Sequence, residues 1–270
     1  MPHIVLDRHA AAEGILCLRL DRPDSRNAMT MAMVRELTAA LNEVAADRGC
    51  RVLVLAGDGP AFCAGLDLKA ALAGNDTDPA PDGTLGWMAL QELYAGAVLA
   101  LRSLPQPVVA AVQGAAIGFG FGLTLGADVR LASPSALFSV GAVRLGLSAG
   151  ECGISYHLPR LIGAGRAFEI MLTGRSVAAA EAEAIGLVTR IVDEEKLLEQ
   201  ALATARLIAA NGPYSTSHSK QLMWSNLEAG SLDVAIALEN HVQVVGLTTD
   251  DFREAALAFA EKRPAIFRGR

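Results

Sequence analysis

The chain has 270 residues, long enough for one large α/β domain with a well-developed core, and no feature indicates two independent halves. Its formal net charge of −6 argues against a nucleic acid or an anionic membrane as the main partner. The four cysteines form no C-x-x-C pair and the histidines are scattered, so neither a zinc site nor a disulfide framework is predicted.

The first residues, Met1 to Ile4, lack the basic and apolar regions of a signal peptide. No run of about 18 apolar residues is free of a charge or a helix breaker. We therefore expect a soluble protein in the reducing environment of the cytoplasm.

The N-terminal third alternates apolar runs with turn-rich segments. Ile15–Leu20 is predicted as a strand, and a loop that carries Arg22 and Arg26 follows it. A helix is predicted over about 30–46, because its apolar residues recur on one face: Val34, Leu37, Leu41 and Val44. A second apolar strand, 51–57, then runs into a glycine-rich turn over 61–69.

An acidic loop over 74–83 contains two prolines and is predicted to be a mobile surface loop. A helix over about 85–103 follows it. Next comes a short apolar run rich in β-branched residues, Val108–Val112, which is typical of a buried strand.

Glycines cluster directly after this strand, at Gly118, Gly120 and Gly122, where a helix is predicted to begin. A helix N-terminus has unpaired amide hydrogens, and glycines let another group approach them closely. The pattern predicts an anion hole made of main chain, for a phosphate or for a carbonyl oxygen that becomes an enolate. A turn used only for tight packing remains the alternative.

A dinucleotide-binding loop is not favoured. The Gly-x-Gly-x-x-Gly pattern requires a third glycine, but that position holds Leu123, or Leu125 when counted from Gly120.

The C-terminal part changes character near residue 195. Before it, a strand is predicted over 129–132, a helix bent or divided by Pro159 over 154–162, short helices over 166–174 and 178–186, and a last strand over 187–192. After it only helices are predicted, over 193–210, 213–228, 231–247 and 250–262.

The turn over 61–69 and the segment over 113–122 together closely resemble the crotonase superfamily, the enoyl-CoA hydratases and isomerases. The resemblance runs from about residue 4 to residue 268. It implies an α/β fold, a spiral of repeated β-β-α turns over 1–195 that holds the CoA and acyl site. The all-helical region over 196–270 would then build homotrimers, often paired into hexamers. No repeat of fixed period is visible, so the spiral rests on the resemblance alone.

The resemblance also implies the parts of a site. The main-chain amides of Leu66 and Phe119 would form an oxyanion hole for the thioester of an acyl-CoA substrate. The residues implied in CoA binding are Arg22, Arg26, Ala64, Leu66, Leu68, Lys69, and, usually on a neighbouring subunit, Phe259 and Lys262. CoA would be the part of the substrate through which the enzyme binds it, and no metal or other cofactor is implied.

Hydratases of this family use two glutamates, and the matching positions here hold Gly122 and Ala142. One acid, Glu151, falls where dienoyl-CoA isomerases and 4-chlorobenzoyl-CoA dehalogenase carry an aspartate. We predict that it is catalytic. The alternative is a glutamate in the first turn of a helix, where the macrodipole stabilises it without any catalytic role.

One carboxylate suffices to move a proton between C2 and C4 of an enoyl-CoA, so we expect double-bond isomerisation. Hydration by a non-standard acid and base, and a non-catalytic acyl-CoA binder, remain alternatives. A hydrolase or dehalogenase with Glu151 as nucleophile also remains, but it needs a base, which is a histidine in the resembled dehalogenase, and residues 10–131 contain no histidine. Glu92 and Tyr94 lie on the helix predicted over about 85–103, and both are expected at its surface. Cys152 is expected to be buried and inert, and His157 to pack or face water.

Overall fold

The computed structural model describes residues 3–8, 13–74 and 78–270. Within these ranges the strands are β1 Ile4–Asp7, β2 Ile15–Leu20, β3 Val52–Gly57, β4 Val108–Val112, β5 Ala115–Ile117, β6 Val129–Ala132, β7 Leu137–Ser139, β8 Val177–Ala178 and β9 Arg190–Ile191. The α-helices are α1 Met31–Ala46, α2 Leu68–Ala73, α3 Gly83–Arg102, α4 Phe119–Gly126, α5 Ile154–Ile162, α6 Ala164–Thr173, α7 Ala179–Ala184, α8 Leu197–Ala209, α9 Pro213–Asn226, α10 Leu232–Leu247 and α11 Asp250–Glu261.

The main sheet has six strands in the order β1-β2-β3-β4-β6-β9. Strand β1 is antiparallel to β2, and the other neighbours are parallel. Parallel strands are normally covered on both faces, and every residue of β3 is buried. Alternate residues of β3 therefore point to two different layers.

One face of the sheet packs against α1, α3 and α4, and carries Leu53 and Leu55 of β3. The other face carries Val52 and Val54 and is covered by α8. The buried residues of α8 recur every four positions, at Leu197, Ala201, Ala205 and Ala209. The division near residue 195 stays a prediction, but α8 lies on its C-terminal side and packs against the sheet.

A second sheet has the order β5-β7-β8, with β5 parallel to β7 and β7 antiparallel to β8. Strand β5 was not predicted. It separates Gly114 from α4, which begins at Phe119 as the glycine cluster indicated. Pro159 lies inside α5 without dividing it, and the last predicted strand, 187–192, is reduced to the two residues of β9.

The loop over 74–83 was predicted to be mobile and at the surface, and its residues 75–77 lie outside the described ranges. Asp78 is buried and paired with Arg35 of α1, so this end of the loop is anchored to the core.

Helix α3 is long and apolar enough to cross a membrane, judged by length and composition only. In this fold it packs against α1 and α4. Its buried side chains are Leu90, Tyr94, Ala97, Val98 and Leu101.

Helix α9 is fixed to the sheet by a buried ion pair. Lys220 lies 2.9 Å from the Asp128 carboxylate and donates a hydrogen bond of 2.9 Å to the Gln106 carbonyl. Asp128 also accepts hydrogen bonds from the Val108 amide at 2.7 Å and from the Trp224 indole at 2.8 Å. Removing one partner of such a pair leaves an uncompensated charge in a poorly hydrated place.

We expect Lys220→Ala to lower the free energy of unfolding by about 3 kcal/mol, because it leaves the Asp128 carboxylate without its cation. Urea denaturation measures this. The matched control is Lys196→Ala, since Lys196 and its partner Asp193 are both largely exposed and such pairs contribute little. Equal urea midpoints for the two variants would contradict the anchoring role of Lys220.

Candidate active site

The two glycine-rich loops are joined by backbone hydrogen bonds. The Cys63 amide donates to the Ala115 carbonyl at 2.9 Å, and the Ile117 amide donates to the Cys63 carbonyl at 3.0 Å. The first loop is thus paired with β5, which leads directly into α4. This pairing brings Leu66 to the N-terminus of α4.

Gly65 is required where the loops meet. Its φ is +93°, and a Cβ on Gly65 would lie 2.7 Å from the Ile117 carbonyl oxygen and 3.8 Å from the Phe119 nitrogen. Any side chain here would therefore push the loops apart. Leu66 follows Gly65 directly, so the loop enters the immediate neighbourhood of the Phe119 amide.

Both predicted donors are free to bind a ligand. Phe119 is the first residue of α4, where the helix offers no acceptor for its amide hydrogen. In the part of the chain that the structure describes, the Leu66 and Phe119 amides donate to no acceptor. Two such amides are suited to an oxygen that gains negative charge during a reaction.

The segment 22–29 supports the first loop. Asn27 is buried, and its side-chain amide donates to the carbonyls of Asp58 at 2.9 Å and Ala61 at 2.8 Å. The Arg22 guanidinium pairs with Asp67 at 2.6 Å and donates to the Ala28 carbonyl at 2.8 Å. In this structure Arg22 therefore holds the loop, and its contact with CoA stays a prediction.

A cavity of about 490 Å³ opens beside the two amides. It is lined by main-chain and mostly apolar groups from both loops, α3 and the segment before α5: Ala64, Gly65, Leu66, Leu68, Trp87, Leu90, Gln91, Tyr94, Ile117, Gly118, Phe119, Gly141, Ala142, Leu145, Leu147, Glu151 and Cys152. Glu151 is the only acid among these residues. The surroundings suit an apolar group attached to a carbonyl.

Glu151 points toward the N-terminus of α4, since a Cβ placed on Gly118 would lie 3.0 Å from its Oε1. The side chain is half-buried, and burial raises the pKa of its carboxyl. Helix α5 begins at Ile154 with Gly153 as its N-cap, so Glu151 precedes the first turn. The alternative that Glu151 is a residue of the first helical turn, stabilised there by the helix macrodipole, is therefore wrong.

The positions that the resemblance assigns to two glutamates have no acid here. Ala142 is buried and lines the cavity. Gly122 lies inside α4, where a Cβ would come within 2.8 Å of both the Cβ and the carbonyl oxygen of Cys152. Cys152 is buried as expected, and burial raises the pKa of its thiol to about 12, which keeps it unreactive.

The prediction that Tyr94 lies on the surface of its helix is wrong. Tyr94 is only 4% exposed and lines the cavity, whereas Glu92 is exposed as expected. The helical spacing from Leu90 through Tyr94 to Ala97 and Leu101 was the signal that could have found this. His157 packs against Trp224 in a different cavity, and burial lowers its pKa to about 4.

The remaining predicted CoA residues divide into two groups. Ala64 and Leu68 line the cavity. Arg26 and Lys69 are exposed and close in sequence to that loop, and Phe259 and Lys262 are exposed at the end of α11. None of these four lines the cavity.

Comparison with known proteins decides the family. Residues 10–270 match the family model described as enoyl-CoA hydratase/isomerase. The chain belongs to the enoyl-CoA hydratase/isomerase family.

Relatives of this family match nearly the whole chain. The probable enoyl-CoA hydratase echA12 of Mycobacterium bovis is 43% identical over 98% of this chain and 92% of its own length. The 1,2-epoxyphenylacetyl-CoA isomerase of Escherichia coli is 36% identical, with 96% of each chain covered. A crystal structure of a probable enoyl-CoA hydratase/isomerase from Mycobacterium abscessus superposes with a TM-score of 0.88 at 39% identity, covering 99% of each chain.

These matches confirm the crotonase-like α/β fold with a C-terminal helical region, and they identify the chain as an enzyme of this family.

We expect Gly65→Ala to reduce kcat by about 10²- to 10³-fold, because it separates the two amides of the hole. Steady-state kinetics with the best enoyl-CoA substrate measures this. Gly186→Ala is the matched control, since Gly186 also has a positive φ, of +79°, but the nearest atom to its Cβ would be 4.0 Å away. Equal losses of kcat in both variants would point to general backbone strain instead.

We expect Glu151→Gln to raise the free energy of unfolding at pH 7. A carboxyl whose pKa is raised by folding stabilises the protein fully only below its unfolded pKa, and that contribution is lost as the pH rises through the folded pKa. The gain from glutamine should therefore disappear near pH 4. Urea denaturation at both pH values tests this, and a variant less stable than the wild type at pH 7 would contradict it.

Proposed function

We propose that this enzyme moves a double bond in an enoyl-CoA thioester, with Glu151 as its single proton carrier. The observation that supports this most directly is the position of Glu151, the only acid among the described residues that line the cavity beside the Leu66 and Phe119 amides. A shift of a double bond needs one group that takes a proton and returns it, whereas hydration needs a second group for water.

The reaction would proceed in two proton transfers. The carboxylate of Glu151 takes a proton from C2 of a 3-enoyl-CoA, and the electron pair of that C–H bond moves into a dienolate. Its negative charge collects on the thioester oxygen, which accepts hydrogen bonds from the two amides. Glu151 then returns the proton to C4, which leaves the 2-enoyl-CoA. The raised pKa makes Glu151 a stronger base than an exposed glutamate.

We further propose that CoA is held by the loop over 64–69 and by Arg26, with Phe259 and Lys262 supplied by a neighbouring subunit of a homotrimer or hexamer. Two observations support this. Phe259 is 87% exposed, and α10 has no buried residue although it carries Leu232, Val234, Ile236 and Leu238. Large exposed apolar surfaces of this kind favour association with another chain. A cytoplasmic location fits an enzyme with four free cysteines.

Hydration is the second candidate. The mycobacterial relative is named as a probable enoyl-CoA hydratase, and this favours hydration. The reaction would then need a second proton-transfer group, and the cavity lining within residues 3–8, 13–74 and 78–270 offers the amide of Gln91 but no second acid and no histidine. A hydrolase with Glu151 as nucleophile, or a binder without turnover, would be recognised by the same experiment.

We expect the purified protein to convert 3-enoyl-CoA to 2-enoyl-CoA, and Glu151→Gln to lower kcat by about 10²- to 10⁴-fold, the usual contribution of a general acid or base. In D₂O, mass spectrometry should find deuterium at C4 of the product wherever the Glu151 carboxyl exchanges its proton with the solvent before returning it. Glu92→Gln is the matched control, because Glu92 is exposed on α3 and should keep wild-type turnover.

Three results would contradict this assignment. Addition of water that survives Glu151→Gln would make the enzyme a hydratase with another acid. Release of free CoA would favour the hydrolase. Tight binding of acyl-CoA without any turnover would favour the binder.

A further inference from the structure

Tyr94 contacts Phe119, which supplies one amide of the hole, and Met29, which is bridged to Leu66, although the helix of Tyr94 supplies neither amide. Its hydroxyl donates a hydrogen bond of 2.6 Å to the Met29 carbonyl. Its ring lies edge-on to the ring of Phe119, with centroids 5.0 Å apart and an interplanar angle of 80°. The ring thus touches the second loop directly, and the hydroxyl reaches the first loop through Met29 of the supporting segment 22–29.

Met29 is the partner that sets the position of Leu66. The Met29 amide donates to the Gly65 carbonyl at 2.8 Å, and the Met29 carbonyl accepts from the Asp67 amide at 2.9 Å. Leu66 lies between these two bonds and is held by them in a parallel bridge with Met29. A shift of the Met29 carbonyl would therefore shift the Leu66 amide.

The contact with Phe119 constrains the second amide in the same way. Phe119 is 2% exposed, so its ring has little freedom to move. The edge-to-face arrangement with Tyr94 is a favourable geometry for two aromatic rings. Phe119 is the first residue of α4, and its ring and its amide share one backbone position. A shift of the packed ring would therefore turn the amide as well.

We propose that Tyr94 is a positioning residue that aligns the Leu66 and Phe119 amides on one thioester oxygen, an inference that rests on the proposed use of these amides. Tyr94 is not the proton carrier, because its hydroxyl hydrogen is already donated to the Met29 carbonyl. Burial raises the pKa of Tyr94, so the hydroxyl stays protonated and remains a donor.

The test measures the polarisation of a bound thioester carbonyl directly. The probe is hexanoyl-CoA with carbon-13 at the carbonyl. Its acyl chain has no carbon–carbon double bond, so the enzyme cannot convert it. The readout is the C=O stretching frequency of the bound probe, measured by isotope-edited infrared spectroscopy. Wild-type protein should lower this frequency relative to the free probe. Tyr94→Phe keeps the ring and removes the hydroxyl, and should shrink the displacement by about half and lower kcat about tenfold with little change in KM.

Tyr214→Phe is the matched control. The Tyr214 hydroxyl also donates to a main-chain carbonyl, that of Val242 at 2.8 Å, but it lies between α9 and α10. This variant should keep both the frequency and kcat. A second test variant, Phe119→Leu, keeps the Tyr94 hydroxyl and removes the ring contact, and it should also shrink the displacement.

The proposal would be overturned if Tyr94→Phe lowered the C=O frequency of the probe as much as the wild type does. If Tyr94→Phe does not fold, the same result in Phe119→Leu would overturn it. A tenfold loss of kcat with an unchanged frequency would do so as well, because it would assign Tyr94 to proton transfer. Glu151→Gln separates the proposed proton transfer from the proposed role of Tyr94. This variant should lose turnover and still lower the C=O frequency of the probe as the wild type does. A wild-type protein that polarises the probe but shifts no double bond would remove the proposed reaction and leave the role of Tyr94 intact.

Discussion

The pairing of residues 61–67 with β5 is the constraint on which the site depends. A single amide at a helix N-terminus binds anions of many kinds, but two amides that come from different loops select an oxygen at one point. Here the hydrogen bonds between Cys63 and the strand β5 bring the loops together, and Gly65 allows the final approach because it has no side chain. The apolar strands β3 and β4 serve the site indirectly, since each leads into one of the two loops.

The placement of Glu151 shows how stability and chemistry oppose each other in this cavity. Burial disfavours the charged carboxylate and so costs stability at neutral pH, but the same burial makes the group a better base. The position of Glu151 just before α5 matters for this balance. In the first turn of the helix, free amides would have stabilised the charge and lowered the basicity.

Sequence reasoning located most of the fold and both loops, because they depend on local signals. The buried runs of β2, β3, β4 and β6 and the periodicity of α1 predicted their elements closely. The short strands β5 and β8 were missed since three or two residues carry no period, and their pairing is set by distant partners. The packing of α8 onto the sheet was also not predictable, because an alanine-rich face suits a sheet and another helix equally well. Tyr94 was misjudged for a related reason: a tyrosine hydroxyl looks suited to a surface until a buried acceptor, here the Met29 carbonyl, is found for it.

The absence of an acid at position 122 is built into the backbone around it. Cys152 has a positive φ of +47°, uncommon for a residue with a side chain, and in this conformation its Cβ and carbonyl oxygen occupy the space in front of Gly122. A glutamate at 122 would therefore require the segment over 151–153 to move. That segment also carries Glu151 into the cavity. The two features depend on each other, because the backbone conformation that brings Glu151 to the N-terminus of α4 is the one that excludes a side chain from position 122.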